Sequence, residues 1–215
     1  MKAALLLIDL QNDFCPGGAL AVSEGDEVIS VANRMIEACL AKNIPVIASQ
    51  DWHPIEHRSF AVNAKAEPGT VGELEGLVQV WWPVHCVQEQ PGAALHPQLK
   101  QGAITAIFRK GQNPDIDSYS TFFDNGRRSK TALDSWLQQH SIDHLYVMGL
   151  ATDYCVKYSV LDALALGYQT TVISDGCRGV NLQPQDSQLA FDAMSDAGAN
   201  LLALEQCLAE VASAD

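Results

Sequence analysis

At 215 residues with 47% apolar content, the chain can bury a sizeable core, and 1–215 is expected to form one domain. Acidic residues outnumber basic ones by 26 to 13, for a formal net charge of −13, and no basic run interrupts that excess, which argues against a nucleic-acid or anionic-membrane partner. No apolar stretch nears the roughly 20 residues of a membrane span, MKAALLLIDLQNDF reaches Asp9 too soon for a signal peptide, and six scattered cysteines without a CxxC pair point to reduced thiols in the cytoplasm.

AALLLID (3–9) is a continuous apolar run ending in a carboxylate, as suits a strand buried on both faces. From Glu24 to Lys42 the residues Val28, Val31, Ala32, Met35, Ile36, Cys39 and Leu40 follow helical spacing. PVIASQD (45–51) reads as a second strand and AITAIFRK (103–110) as a third. Residues 129–140 read as a helix with Ser129 as its N-cap, followed by a fourth strand, DHLYVMGL (143–150). The next helix starts from a Thr152 or Asp153 cap and runs to about Leu166. A fifth strand (168–175), a helix (184–198) and a short sixth strand, ANLLAL (199–204), continue the alternation. This pattern predicts an α/β fold with three αβα layers about a mostly parallel six-stranded sheet. Segments 51–102 and 111–128 break the rhythm, and loops of that length in a compact domain usually serve function; the first is expected to be a metal-binding insertion.

In an open parallel sheet, ligands bind outside the carboxyl ends of the strands. Here the first strand ends at Asp9, the second runs into Asp51-Trp52-His53, the third ends at Lys110 and the fourth leads into Ala151–Cys155. A core built only for packing has no use for ionisable groups at all four ends. With Thr152 or Asp153 as the cap, Cys155 falls in the first helical turn, where unpaired N–H groups and the helix dipole stabilise a thiolate. A Lys110 ammonium nearby acts in the same direction. Asp9 then serves as the base that takes the thiol proton and later gives it to a leaving amine, while N–H groups of the turn bind an oxyanion. The bland alternative is an ordinary buried thiol, which remains the reading for the other five cysteines.

A second constellation joins QDWHPIEH (50–57) to WWPVHC (81–86). Asp51 and His53, two apart in extended chain, point to the same side, and His85 completes an Asp-His-His set, with His57 a further candidate. Such a set suits one divalent ion, Zn²⁺, Fe²⁺ or Mn²⁺. Were the metal to generate the nucleophile, activity would survive alkylation of the thiol but not chelation. Phe14, Trp81 and Trp82 flank these polar residues and are candidates for an aromatic pocket.

The motifs LLLIDLQNDFCPGGAL, SQDWHP, WPVHCV, FRKG and GLATDYCV, in this order, resemble the nicotinamidase group of the isochorismatase-like cysteine hydrolase superfamily over essentially the whole chain. The resemblance implies that superfamily's Rossmann-like fold and a catalytic triad of Asp9, Lys110 and Cys155. It also implies an oxyanion hole from the N–H groups of Ala151 and Cys155, beside a cis Leu150–Ala151 peptide. The implied reaction is hydrolysis of nicotinamide to nicotinate and ammonia, in NAD salvage, through a Cys155 thioester. Asp51, His53 and His85 would hold the metal on the pyridine nitrogen, zinc first, with iron or manganese as alternatives; His57 stays open because members differ in what completes the shell. Phe14, Trp82, Tyr119 and Leu150 match positions that border the ring pocket, and pyrazinamide is an expected second substrate. The alternatives are another cysteine amidohydrolase acting on a different amide or carbamoyl group, a non-catalytic pyridine-binding module and a vinyl-ether hydrolase. Oligomeric state is left open, a homo-oligomer being one outcome, with 54–80 as either lid or interface.

Overall fold

Apolar runs that are buried on both sides form the middle of the sheet. The computed structural model describes residues 2–214. In chain order it contains β1 (Ala3–Ile8), α1 (Glu27–Ala41), β2 (Val46–Asp51), the one-turn α2 (Ala61–Ala64), β3 (Val71–Leu74) and β4 (Leu77–Val80). Then follow β5 (Ile104–Lys110), α3 (Leu133–Gln139), β6 (His144–Leu150), α4 (Lys157–Ala165), β7 (Gln169–Arg178), α5 (Asp186–Asp196), β8 (Asn200–Leu202) and α6 (Leu204–Ser213). Six strands make one parallel sheet in the order β5-β2-β1-β6-β7-β8, while β3 and β4 form a separate antiparallel hairpin.

Position in the sheet explains the patterns. β2 and β6 are buried along their whole length and β1 from Ala4 on, so they read as unbroken apolar runs. β5 lies at an edge and alternates buried with exposed positions over its last residues. Helices cover both faces: α1 and α6 pack on each other and on β7, and α4 and α5 form a second pair against the sheet. The chain runs from β1 outward to β2 and β5, then returns to β6 on the other side of β1. This makes the β1/β6 boundary the topological switch point, the crevice where α/β folds bind ligands. Gly149 permits the close pairing there. Its φ is +135°, and a Cβ on it would fall 2.1 Å from the Ile8 carbonyl oxygen.

The predicted strands are all present, and four differences have physical causes. The segment 51–102 holds the β3–β4 hairpin and α2 rather than only loop. α6 follows the sixth strand, burying Leu204, Cys207 and Val211 on one face. α3 begins at Leu133, not Ser129, because the Ser129 N–H and hydroxyl both go to the Asp124 carboxylate (2.7 and 2.6 Å), while Thr131 Oγ1 accepts the Leu133 N–H. β7 continues past Asp175 to Arg178 through a register shift opposite Met148. Among the described residues no helix is long and apolar enough to cross a membrane.

Gly149→Ala is expected to destabilise the protein by more than about 1 kcal/mol, since alanine can adopt neither the backbone conformation nor the spacing. Urea unfolding of the two proteins, with a lower midpoint for the variant, checks it.

Candidate active site and metal centre

Lys110 closes β5 and lies in register with Asp51 on β2. Its side chain is buried and reaches inward across the rim. Nζ lies 2.5 Å from Asp51 Oδ1, 2.9 Å from Asp9 Oδ2, 3.0 Å from the Ser118 carbonyl and 3.3 Å from Cys155 Sγ. Burial works to lower its pKa, but Asp51 and Asp9 outweigh this and hold it well above the ordinary lysine value. The group is therefore an ammonium throughout the working pH range.

Asp9 follows β1 in a left-handed conformation, φ 49°, and is completely buried. Its Oδ1 accepts the Ser49 hydroxyl at 2.6 Å. Its Oδ2 pairs electrostatically with Lys110 but accepts no hydrogen bond of good geometry among the described residues. Burial raises the Asp9 pKa, Lys110 opposes, and Asp51 adds to the rise, so the carboxyl ends above its ordinary value. Such a group accepts a proton more readily than a free aspartate does.

The turn that carries Cys155 departs from the expected cap. Neither Thr152 nor Asp153 caps a helix: the first residue outside is Ala151, and Thr152–Val156 form a single π turn leading into α4. The Ala151 carbonyl accepts N–H groups from Tyr154 and Val156, both at 3.1 Å, and passes over that of Cys155. Asp153 instead anchors the loop after β7, accepting the Val180 and Asn181 N–H groups at 2.9 and 2.8 Å. The Leu150–Ala151 peptide is cis. The expected lowering of the thiol pKa is not met. Burial pushes Cys155 well above the ordinary value, and Asp9 and Asp51 add to this against the opposing pull of Lys110. Burial thus favours the uncharged thiol at Cys155 and raises the basicity of the neighbouring Asp9 carboxylate. One oxygen of Asp9, one of Asp51 and Cys155 Sγ all lie within 4.8 Å of one another.

Asp51 faces a second group on its other side. Gln11 clamps its backbone, donating to the Asp51 carbonyl (2.8 Å) and accepting from its N–H (2.9 Å). Oδ2 is 3.4 Å from His53 Nε2 and 3.6 Å from His85 Nε2. His53 Nδ1 donates to the Gly111 carbonyl and His85 Nδ1 to the Pro83 carbonyl, each at 2.8 Å. Since a carbonyl only accepts, these bonds place a proton on each Nδ1 and turn each Nε2 toward Asp51. Gly111 is needed for this, because a Cβ there would fall 2.4 Å from the His53 ring. Burial pushes the Asp51 pKa up, but Lys110 and His53 outweigh it and leave the carboxyl well below the usual range. A permanent carboxylate and two oriented imidazoles fit a divalent metal ion.

His57 is not turned to this set. Its Nδ1 accepts the Ser59 hydroxyl (2.7 Å) and N–H (3.2 Å), and its Nε2 donates to the Ile116 carbonyl at 3.2 Å. Both nitrogens are taken, and burial and His53 push its pKa down to about 4, so it packs as a neutral ring against His53.

Phe14, Trp82, Tyr119 and Ala151 line a small cavity that also exposes Asp51, His85 and Cys155. The Trp82 and Tyr119 rings meet Tyr154 edge-on, with centroids 4.9 and 5.2 Å away. Leu150 does not border it; its side chain is fully buried in the core, because β6 is covered on both faces. Sequence reasoning missed Leu20, Asp117, Tyr154 and Val180 on the cavity wall. Tyr154 adjoins Cys155 and was open to inference; the other three stand in loops without a pattern.

The isochorismatase-domain model matches residues 3–206. The chain is 65% identical to the nicotinamidase of Escherichia coli K12 over 201 residues, 94% of each chain. The solved nicotinamidase/pyrazinamidase of Acinetobacter baumannii is 37% identical and superposes with a TM-score of 0.90, covering 96% of this chain and 98% of that one. A pyrazinamidase of Pyrococcus horikoshii solved in complex with zinc is 33% identical, with a TM-score of 0.78 over 94% of this chain and 99% of that one.

The Ser49 hydrogen bond lowers the Asp9 pKa, so removing it in Ser49→Ala raises that pKa further. Any activity that needs the Asp9 carboxylate is lost as pH falls through this value. The acid limb of the pH profile of kcat/KM is therefore expected at higher pH in Ser49→Ala than in the native protein, and an unmoved limb would take Asp9 out of the reaction.

Proposed function

The chain belongs to the isochorismatase-domain family, and from that membership and the geometry of the site we propose that it is an amidohydrolase converting nicotinamide to nicotinate and ammonia. The observation that carries this reading is the contact of Cys155 Sγ with Lys110 Nζ, at 3.3 Å, beside Asp9 and in an aromatic-walled cavity shared with Asp51 and His85. A flat ring fits between Phe14, Trp82, Tyr119 and Tyr154, with its carboxamide toward the thiol.

The roles of the residues follow from their protonation. Asp9 Oδ2 takes the Cys155 proton as Sγ forms a bond to the carboxamide carbon. The negative charge that grows on the carbonyl oxygen is received by the N–H groups of Ala151 and of Cys155, the latter passed over by the π turn. Asp9 returns the proton to the nitrogen, the C–N bond breaks, ammonia leaves, and a thioester remains on Cys155. Asp9 then takes a proton from water as the water oxygen attacks the thioester carbon. When the C–S bond breaks Asp9 returns that proton to Sγ, and the acid formed releases its own proton to solvent and leaves as nicotinate. Lys110 stays an ammonium throughout, so one proton shuttles between Asp9 and Cys155 without changing the charge of the cluster. A divalent cation held by Asp51, His53 and His85 supplies, when bound, a Lewis acid for the ring nitrogen. Zinc suits this carboxylate-imidazole set. Pyrazinamide, which keeps a ring nitrogen in the same relation to its carboxamide, is a second substrate on this reading. All six cysteines are free thiols, in keeping with work in the reducing cytoplasm.

Ammonia release from nicotinamide tests the proposal. Cys155→Ala is expected to lose more than about a thousandfold in kcat, the scale on which removal of a catalytic nucleophile acts. Chelator-treated native protein is expected to lose activity and regain it with added zinc. Turnover that persists in Cys155→Ala would move the chemistry to a metal-bound nucleophile, and no release by the zinc-loaded native protein would overturn the substrate.

A further inference from the structure

Asp117 stands on the wall of the same cavity and is buried. It is 4% exposed, and its two oxygens each accept one neutral donor: Gln79 Nε2 on Oδ2 and the Ser118 N–H on Oδ1, both at 2.8 Å. Among the described residues it makes no salt bridge to a cationic side chain. One of its oxygens lies within 4.8 Å of a ring nitrogen of His53 and of one of His57. The His57 nitrogens are both hydrogen-bonded elsewhere, so His57 does not explain the carboxylate.

Charge does. Asp9 and Asp51 against Lys110 leave one net negative charge in the cluster, and moving a proton between Asp9 and Cys155 does not alter that sum. A divalent cation brings two positive charges. A buried carboxylate with only two neutral donors is unfavourable by itself and favourable opposite an uncompensated cation. We propose that Asp117 is the second charge of the cation site: a positioning residue that faces the ion held by Asp51, His53 and His85 and sets how tightly it is retained. Gln79, buried on β4, holds the carboxylate in place and so ties the hairpin to metal retention. This inference rests on the metal-binding part of the reading above.

Zinc dissociation constants, measured by competition with a chromophoric chelator, test it on native protein and on Asp117→Asn, Asp117→Glu, Gln79→Met and His85→Ala variants. Asp117→Asn is expected to bind zinc about 10- to 100-fold more weakly, the range seen when groups behind metal ligands are changed. Asp117→Glu restores most of that affinity, and Gln79→Met shows a smaller loss in the same direction. Zinc-free Asp117→Asn is expected to melt at or above the temperature of the zinc-free native protein, because a buried uncompensated charge has been removed. A lower melting temperature marks a structural role and overturns the inference. So does unchanged zinc affinity in Asp117→Asn and Gln79→Met while His85→Ala is weakened, an outcome that leaves the metal reading intact. Should Asp117→Asn fail to fold, Gln79→Met decides by itself. Native protein that binds zinc no better than His85→Ala overturns the metal reading, and the inference with it.

Discussion

One buried ammonium organises this site. Lys110 Nζ lies within 3.3 Å of Asp51, Asp9 and Cys155 at once, so the thiol half and the cation half share a single positive charge. In a low-dielectric interior such a charge persists only with close opposite partners, and deleting one partner of a buried pair costs about 3–5 kcal/mol. The same cation accounts for the divergent behaviour of two neighbouring carboxylates. Asp51, nearer to Lys110 and facing His53, is held well below the usual range, whereas Asp9, fully buried and repelled by Asp51, is raised. One carboxylate is thereby suited to hold a metal and the other to exchange a proton. Pairs of groups whose environments push their pKa values apart are the usual mark of divided acid–base roles.

The sheet supplies the distances. Strands in register deliver Asp9, Asp51 and Lys110 to one rim, and a lysine is long enough to cross from edge strand β5, over β2, to the residue after β1. Cys155 comes from the opposite side of the switch point, where β6 passes through a cis peptide into the π turn. The imidazoles are ordered differently, by an apolar hub. Phe60 is fully buried, and the rings of His53, His57 and His85 pack around it with centroids 5.5, 5.7 and 5.4 Å away. The long segment after β2 is thus a folded wall with its own small core, closed by the β3–β4 hairpin, rather than a loose insertion.

Which features were legible in the chain depended on how local their causes are. β1, β2 and β6 could be read because strands buried on both faces leave unbroken apolar runs. The hairpin could not, because its strands are four residues long and Val71 and Val78 point to solvent. α6 carried a readable spacing in Leu204, Cys207 and Val211, which share its buried face. Asp9, Asp51, His53, His85, Lys110 and Cys155 stood out because ionisable residues are rare at the ends of apolar strands. Asp117 did not, since an aspartate in a loop looks the same whether it faces water or a cavity. Leu150 was expected on the pocket wall by family resemblance, while its side chain belongs to the core.

By itself, the amino-acid sequence determined the strand–helix alternation, the parallel sheet and the chemical groups gathered at its rim, because burial periodicity and strand ends are written locally. Tertiary structure alone decided the protonation states. Whether Cys155 rests as thiol or thiolate, whether Asp9 or Asp51 holds the proton more readily, and whether His57 ligates or buttresses all depend on burial and on charges brought together from distant strands. Those energies fall off over a few ångströms through a medium of low dielectric constant, and only the folded chain sets such separations.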